Sequence, residues 1–260
     1  ANCVLKYMAS HFLAANPQKT GFLLIRRKKS NVCREIIVGK DRIKEQTSHR
    51  ILGLKVNNSL TWKEHTDELL NSIHQRIGAL RRISYHVPSS SLPSITSAII
   101  SSKIRYCIAI YGGLRLSNAD PLTEIDKSLQ IALNQAMRIV TGSRLRDRVP
   151  ITELVRRTGI QSVNQMSAED KLRLIWQAVH QPNSPLKEVV CSQAKNKCER
   201  TLRSGARGDL QAEARTVLGQ KNFPEPAIRI WNISTSNIRE ATTLYSSKKA
   251  IRQFVSALPL

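Results

Sequence analysis

Between His49 and His86 the chain runs through a short apolar strand and a polar turn. It then places Leu69, Leu70, Ile73, Ile77, Leu80 and Ile83 at helical spacing. A seam that long has to be covered, so this stretch dictates what surrounds it. The segments before it read as a small sheet that leads into the helix. Those after it read as helices stacked behind it.

In residues 1–15, Val4, Leu5, Met8, Phe12 and Leu13 share one helical face, and Asn16-Pro17 ends that helix. Gly21 to Ile25 is an apolar run of strand length. Arg34 to Val38 is a second strand, Gly39-Lys40-Asp41 a hairpin-type turn, Arg42 to Gln46 the returning strand, and Arg50 to Val56 the last of the sheet. Asn57-Asn58-Ser59 is turn chemistry, and Thr61-x-x-Glu64 has the form of a capping box opening the long helix. Further helices are expected over 93–111, 120–140, 151–157, 163–180 and 246–258. From Gln181 to Phe223 the pattern fades into polar, basic sequence read as a loose loop with one helix near 209–218. The fold class is therefore α+β: a small, mostly antiparallel sheet with one helix, followed by a mainly helical bundle. Divisions are expected at 1–60, 61–145, 146–190, 191–225 (a basic, disordered loop) and 226–260.

The charge limits the partners. Forty-one Lys and Arg oppose nineteen Asp and Glu in 260 residues, for a formal charge of +22. Residues 1–60 carry +9 and 181–260 carry +7, against +4 for 61–118 and +2 for 119–180, so the two ends hold the field. Such an excess repels itself unless a polyanion offsets it, which points to DNA or RNA. A membrane is the poorer partner, because no basic helix carries a bulky Trp, Phe and Leu insertion face and no apolar run has the length of a span. The five cysteines form no CxxC pair and no zinc spacing, which reads as free thiols in an intracellular protein of nucleus or cytoplasm, not a secreted one. A start at Ala1, directly within an amphipathic pattern, reads as a fragment of something longer.

Self-contained catalysis finds no support. Two-metal phosphoryl transfer needs carboxylates on adjoining strand ends, and Glu35, Asp41 and Glu45 are scattered among Lys and Arg. Glu169-Asp170 reads as acids favoured at the start of a helix. There is no phosphate loop, HExxH or nucleophile elbow, and no cofactor is expected for this chain. Phosphate contacts, by contrast, need basic side chains on rigid faces. Arg26, Arg27, Lys28 and Lys29 at a strand end, Lys40, Arg42 and Lys44 on a hairpin, and Arg76, Arg81 and Arg82 on the long helix offer them. Trp62 and His65 sit on that helix's first turn, where Trp62 reads as a packing staple sooner than a base-stacking ring.

Several segments then fall into a known order. Asn16-Pro17-Gln18-Lys19-Thr20 precedes Phe22; Ile51-Leu52-Gly53-Leu54 precedes Leu60, Trp62 and His65; Arg105-Tyr106-Cys107 precedes Tyr111-Gly112. Ala136 to Gly142 follows, then Ala227 with Trp231-Asn232 and Ile238-Arg239. Over nearly its whole length the chain resembles the C-terminal part of non-LTR (LINE-type) retrotransposon reverse transcriptases. The resemblance implies the end of a palm, a primer grip at Leu52, Gly53 and Leu54, and a helical thumb from Thr61. Lys19 would lie near the incoming nucleotide's phosphates as a general acid toward pyrophosphate. Arg76, Arg81 and Arg82 would lie along a template–primer duplex of RNA, DNA or an RNA–DNA hybrid. The family's Tyr-x-Asp-Asp and its partner Asp belong upstream of Asn16 and do not occur here. The resemblance thus implies a part of an RNA-directed DNA polymerase that is inactive alone. Mg²⁺ is expected only in the full-length polymerase, and the parent enzyme's upstream palm and fingers are the implied partners. The alternative is a decayed or co-opted nucleic-acid-binding module.

Overall fold

Alternation between 35 and 46 produces the first strand pairing in the computed structural model, which describes residues 2–14, 16, 20–25, 34–38, 40–191, 209–210 and 223–260. Strand β1 is Phe22–Leu23, β2 is Glu35–Val38 and β3 is Asp41–Gln46. Strands β2 and β3 are antiparallel, with Glu35 opposite Lys44 and Ile36 opposite Ile43. The sheet is less antiparallel than its sequence suggests. β3 is the central strand, and its second edge takes β1 in parallel, Phe22 opposite Glu45. The expected strand over 50–56 is instead a hairpin of β4 (Ser48–Ile51) and β5 (Leu54–Asn57), a separate two-stranded sheet. Its two-residue turn has Leu52 at φ 47° and Gly53 at φ 85°. Two positive φ values are what a tight primed turn needs to match the strands' twist. Gly21 lies close under the His49 ring: a Cβ there would come within 2.4 Å of it, so a side chain would have to displace that imidazole.

Helix α1 (Asn2–Ser10) leaves much of its expected apolar face uncovered, with Val4 61%, Leu13 58% and Phe12 99% exposed. Helix α2 (Lys63–Ile83) starts one residue later than the capping box would place it. Asn57 is the reason: its Oδ1 accepts from the Thr61 N–H at 2.9 Å and its Nδ2 donates to the Thr61 hydroxyl at 2.8 Å. Thr61 is thereby held in the turn.

The chain divides into two compact units, Ala1–Glu68 and Leu69–Leu260, and the boundary falls inside α2. In the second unit the seam of α2 is covered at Leu69, Ile73, Ile77 and Leu80, whereas Ile83 at the helix end is exposed. The helix expected over 93–111 is broken. It comprises α3 (Leu92–Thr96), a π-helical turn at Ser97–Ser101, α4 (Ser102–Arg105) and, after Cys107 at φ 57°, α5 (Ile108–Tyr111). Helix α6 (Glu124–Thr141) begins later than Asp120. Asp120 accepts the Leu116 and Ser117 N–H groups at 2.9 Å each and so stays in a turn, while Thr123 caps the helix through the Asp126 N–H.

Helix α7 (Ile151–Thr158) ends at Gly159 as its sequence predicts, in the left-handed region. Ser162 and Gln165 form a capping box on α8 (Val163–His180). The polar stretch after it opens with a short helix, α9 (Leu186–Cys191). Most of the loop expected over 191–225, and nearly all of the helix expected near 209–218, lie outside the described residues. Helices α10 (Glu225–Ile233), α11 (Ser236–Arg239) and α12 (Leu244–Ser256) complete the chain. Most of them converge on α8, where Leu172, Ile175 and Trp176 meet Ile228, Trp231, Ile251 and Val255 in one apolar core. The whole is a mixed α and β fold, mainly helical, with small sheets of three and two strands. No described helix is long and apolar enough to cross a membrane.

Candidate nucleic-acid interface

The last turn of α6 shapes an open groove in the second unit. Gly142 sits at φ 67°, with its N–H on the Ile139 carbonyl at 3.3 Å and the Ser143 N–H on the Arg138 carbonyl at 3.1 Å. This is a Schellman motif, which needs a residue free of Cβ strain at that position. It turns the chain sharply, so that Ser143, Arg144 and Leu145 face back past Arg138. Opposite them stand the end of α2 and the segment after it, with Arg81, Ser84, Tyr85, Ser89 and Leu92. Between the two walls lies an open groove of about 910 Å³.

Three arginines line this groove, Arg81, Arg138 and Arg144, and no carboxylate does. Among the described residues none of the three has a salt-bridge partner, and the Nε of Arg138 is buried with no hydrogen-bond partner. Ser84, Ser89, Thr141 and Ser143 also line the groove, the Ser84 hydroxyl donating to the Arg81 carbonyl at 2.8 Å and that of Thr141 to the Met137 carbonyl at 3.1 Å, and Tyr85 is 82% exposed at its side. Guanidiniums supply bidentate contacts to phosphate oxygens, hydroxyls supply neutral ones, and an exposed aromatic ring supplies a stacking face. Arg138 in the last turn also complements the negative end of the α6 dipole.

The expected contact residues divide among different roles. Arg81 lines the groove, and Arg82 is exposed beside it in sequence. Arg76 is half-buried, and its Nη1 donates to the Ile99 carbonyl at 2.8 Å, tying α2 to the π-helical turn. Leu52 is 85% exposed at the hairpin tip with Gly53 beside it, whereas Leu54 is buried. Trp62 is half-buried, and His65 is buried, with its Nδ1 3.5 Å from the Lys55 N–H. Lys19 and Arg26 to Lys29 lie outside the described residues. Arg138 and Arg144 are the residues that sequence reasoning passed over. An arginine in a final helical turn, then glycine, then Arg144, Arg146 and Arg148 at alternate positions, was the available signal.

In the first unit the charges on the hairpin are locally matched. Arg50 Nη2 lies 2.5 Å from Glu68, and Lys55 Nζ lies 2.9 Å from Glu68 and 3.2 Å from Glu64. The contact raises the Lys55 pKa, and the Lys55 ammonium holds the Glu68 carboxyl below its usual value. The strand register sets no acid opposite another. Glu35 faces Lys44, Asp41 faces Val38 and Glu45 faces Phe22, with Glu45 accepting the Arg34 N–H at 3.3 Å. Among the described residues no group of three or more His, Cys, Asp or Glu side chains is placed to hold a metal ion. Cys3 and Cys107 are free thiols.

Glu169 and Asp170 are two turns into α8, not at its start, and they form the charged core of the second unit. Arg105 reaches both, as described in the Discussion. Lys171, on the same helix, is fully buried, with Nζ 2.7 Å from the Gly112 carbonyl, 3.3 Å from that of Gly113 and 2.5 Å from Ser167 Oγ. Burial pulls its pKa down to about 8. Gly113 has no room for a side chain, since a Cβ would come within 2.1 Å of Asp126 Oδ2, and its N–H bonds Asp126 Oδ1 at 3.0 Å. Lys171 thus braces a glycine turn inside the protein.

No family model, curated protein or solved structure matches this chain.

Proposed function

We propose that this chain is part of a retroelement reverse transcriptase, a palm end and thumb that hold nucleic acid through its phosphate backbone without reading sequence. The observation that carries the reading is the groove of Arg81, Arg138 and Arg144, three arginines on one open groove with no carboxylate among the lining residues. In a folded protein, clustered like charges are costly unless a ligand of opposite sign offsets them, and a phosphate backbone does so with counterion release. The formal charge of +22 supports the same class of ligand. The hairpin adds a second element of the reading: Leu52 and Gly53 form an exposed tip suited to meeting a primer end.

Extension of that primer is not expected from this chain alone. Extension would need a carboxylate pair to hold two metal ions, and the register of the described strands sets Glu35 opposite Lys44, Asp41 opposite Val38 and Glu45 opposite Phe22.

Binding of a labelled RNA–DNA hybrid, measured across a salt series, tests the proposal. Affinity should fall steeply with salt, and charge reversal at Arg81, Arg138 and Arg144 together should abolish binding at moderate salt while leaving the circular dichroism spectrum intact. Salt-independent binding, or unchanged affinity in the triple variant, would refute it.

A further inference from the structure

A second cavity, of about 520 Å³, opens on the second unit away from the groove's lining residues. The π-helical turn shapes it. In an α-helix, residues five apart are separated by about 140° around the axis. The wider π turn, closed by the Ser102 N–H on the Ser97 carbonyl, keeps residues five apart on one face. Ser97, Ser101 and Ser102 consequently all line the same cavity, over a floor of buried Ile160 and Met166.

The three serines are not equivalent. Ser102 donates its hydroxyl to the Ala98 carbonyl. Ser101 is only 9% exposed, and its Oγ is buried with no hydrogen-bond partner. An orphaned buried hydroxyl is destabilising, and folded proteins seldom retain one without a use. On the cavity's other side are two guanidiniums, Arg105 and Arg252, and no carboxylate is among the lining residues. The acids behind them are already engaged: Glu169 accepts from Gln161 at 2.8 Å and lies 2.9 Å from Arg105 Nη2 and 3.6 Å from Arg252 Nε. Asp170 pairs with Arg105 and lies 3.7 Å from Arg173. Three arginines against two carboxylates leave one positive charge over, and Arg252, whose side chain is 70% exposed, lines the cavity while its Nε keeps the long 3.6 Å contact to Glu169.

We propose that this cavity is a phosphate site, in which Ser101 Oγ and the Arg252 guanidinium each donate to an oxygen of one phosphoryl group. Arg105 forms the fixed positive wall, and Ser97 stands at the rim. The phosphoryl group can belong to a small free phosphate or nucleotide or to the backbone of a polynucleotide, and the same donors recognise either.

Melting of the full 260-residue chain, at constant ionic strength, separates these cases. Inorganic phosphate, adenosine monophosphate and a short oligonucleotide are titrated against wild type, Ser101→Ala and Arg252→Gln. A saturable rise in melting temperature with phosphate and the mononucleotide, lost in Ser101→Ala and weakened at least tenfold in Arg252→Gln, supports a site for free ligand. A rise with the oligonucleotide alone, lost in the same variants, supports a backbone phosphate. In phosphate-free buffer Ser101→Ala should melt no lower than wild type, since the orphaned hydroxyl is gone. No saturable shift with any probe, or an equal shift in Ser101→Ala, overturns the proposal.

Discussion

Arg105 and Asp170, 65 residues apart in sequence, form a forked ion pair, with Arg105 Nε 3.0 Å and Nη2 2.8 Å from Asp170 Oδ1. The same Nη2 lies 2.9 Å from Glu169 Oε1, and Nη1 donates to Gln161 Oε1 at 3.3 Å. A planar guanidinium can satisfy that many acceptors at once; an ammonium cannot. The pair joins the broken helix of 92–111 to α8.

Removing the guanidinium leaves two partly or wholly buried carboxylates without their nearest cation, with only the longer contacts to Arg252 and Arg173 remaining. Arg105→Ala should cost about 3–5 kcal/mol, read from the urea midpoint, and Arg105→Lys should recover less than half of that loss. Burial works to raise the Glu169 pKa, but Gln161, Arg105 and Arg252 outweigh it and the net shift is downward. A depressed carboxylate stabilises the fold above its unfolded pKa. That contribution should fade on acidification below the usual carboxylate range.

Lys171 has the opposite sign. Its folded pKa of about 8 is below the 10.5 of an unperturbed lysine, so the unfolded chain binds the extra proton between those values. Stability should therefore rise as pH increases from 8 toward 10, by up to about 3 kcal/mol if the shift is fully expressed. Above pH 10 Tyr111 reverses the trend. Burial pushes its hydroxyl pKa up, while in the unfolded chain the same group ionises freely. Denaturant titrations of wild type against Lys171→Met at pH 7, 8, 9 and 10 check the slope, which the variant should lack.

Leu52 occupies a position that suits Asn or Gly. A bulky residue with φ near 47° is strained by about 1–2 kcal/mol, and this one is also largely exposed. Leu52→Asn should stabilise the hairpin by about 1 kcal/mol, visible as slower amide exchange across 48–57. If the apolar tip serves the primer, the same variant should bind a hybrid with a recessed primer end less tightly than wild type, with affinity for fully paired hybrid unchanged.

For the groove, single neutral variants are more informative than charge reversal. Each phosphate contact contributes about 0.9 to the slope of log affinity against log salt on duplex DNA. Arg81→Gln and Arg144→Gln should each lower the slope by about one contact and weaken all sequences alike. Arg76→Gln should leave the slope unchanged and lower the melting temperature instead, because its partner is the Ile99 carbonyl.

Much of the helical part was legible because it depends on local signals. Gly159 and Gly142 ended helices where glycine relieves a left-handed cap, and the α8 boundaries followed its apolar set. The capping box at Thr61 failed because Asn57, four residues earlier, competes for the same threonine. The break at Cys107 has no local mark, since a run of isoleucines at helical spacing continues through it. It arises because Tyr111, whose hydroxyl donates to the Ile104 carbonyl, and Arg105 both meet partners that the helical pattern does not reveal. In the groove, Arg81 was readable as a charge on the outer face of an amphipathic helix. Arg138 and Arg144 join it only through the packing of segments more than 50 residues away, which no spacing rule reports.

The central place of α8 has a consequence for how the protein is made. Helices α5, α6, α9, α10 and α12 all pack on it, so those made before it complete their packing only once it has left the ribosome. Arg105 emerges 65 residues before Asp170, roughly 3 to 13 s at ordinary synthesis rates. During that interval its carboxylate partners do not yet exist, and the faces of α5 and α6 that pack on α8 lack that cover. A translating chain is vulnerable to aggregation and proteolysis there until α8, and then the C-terminal helices that pack on it, have arrived.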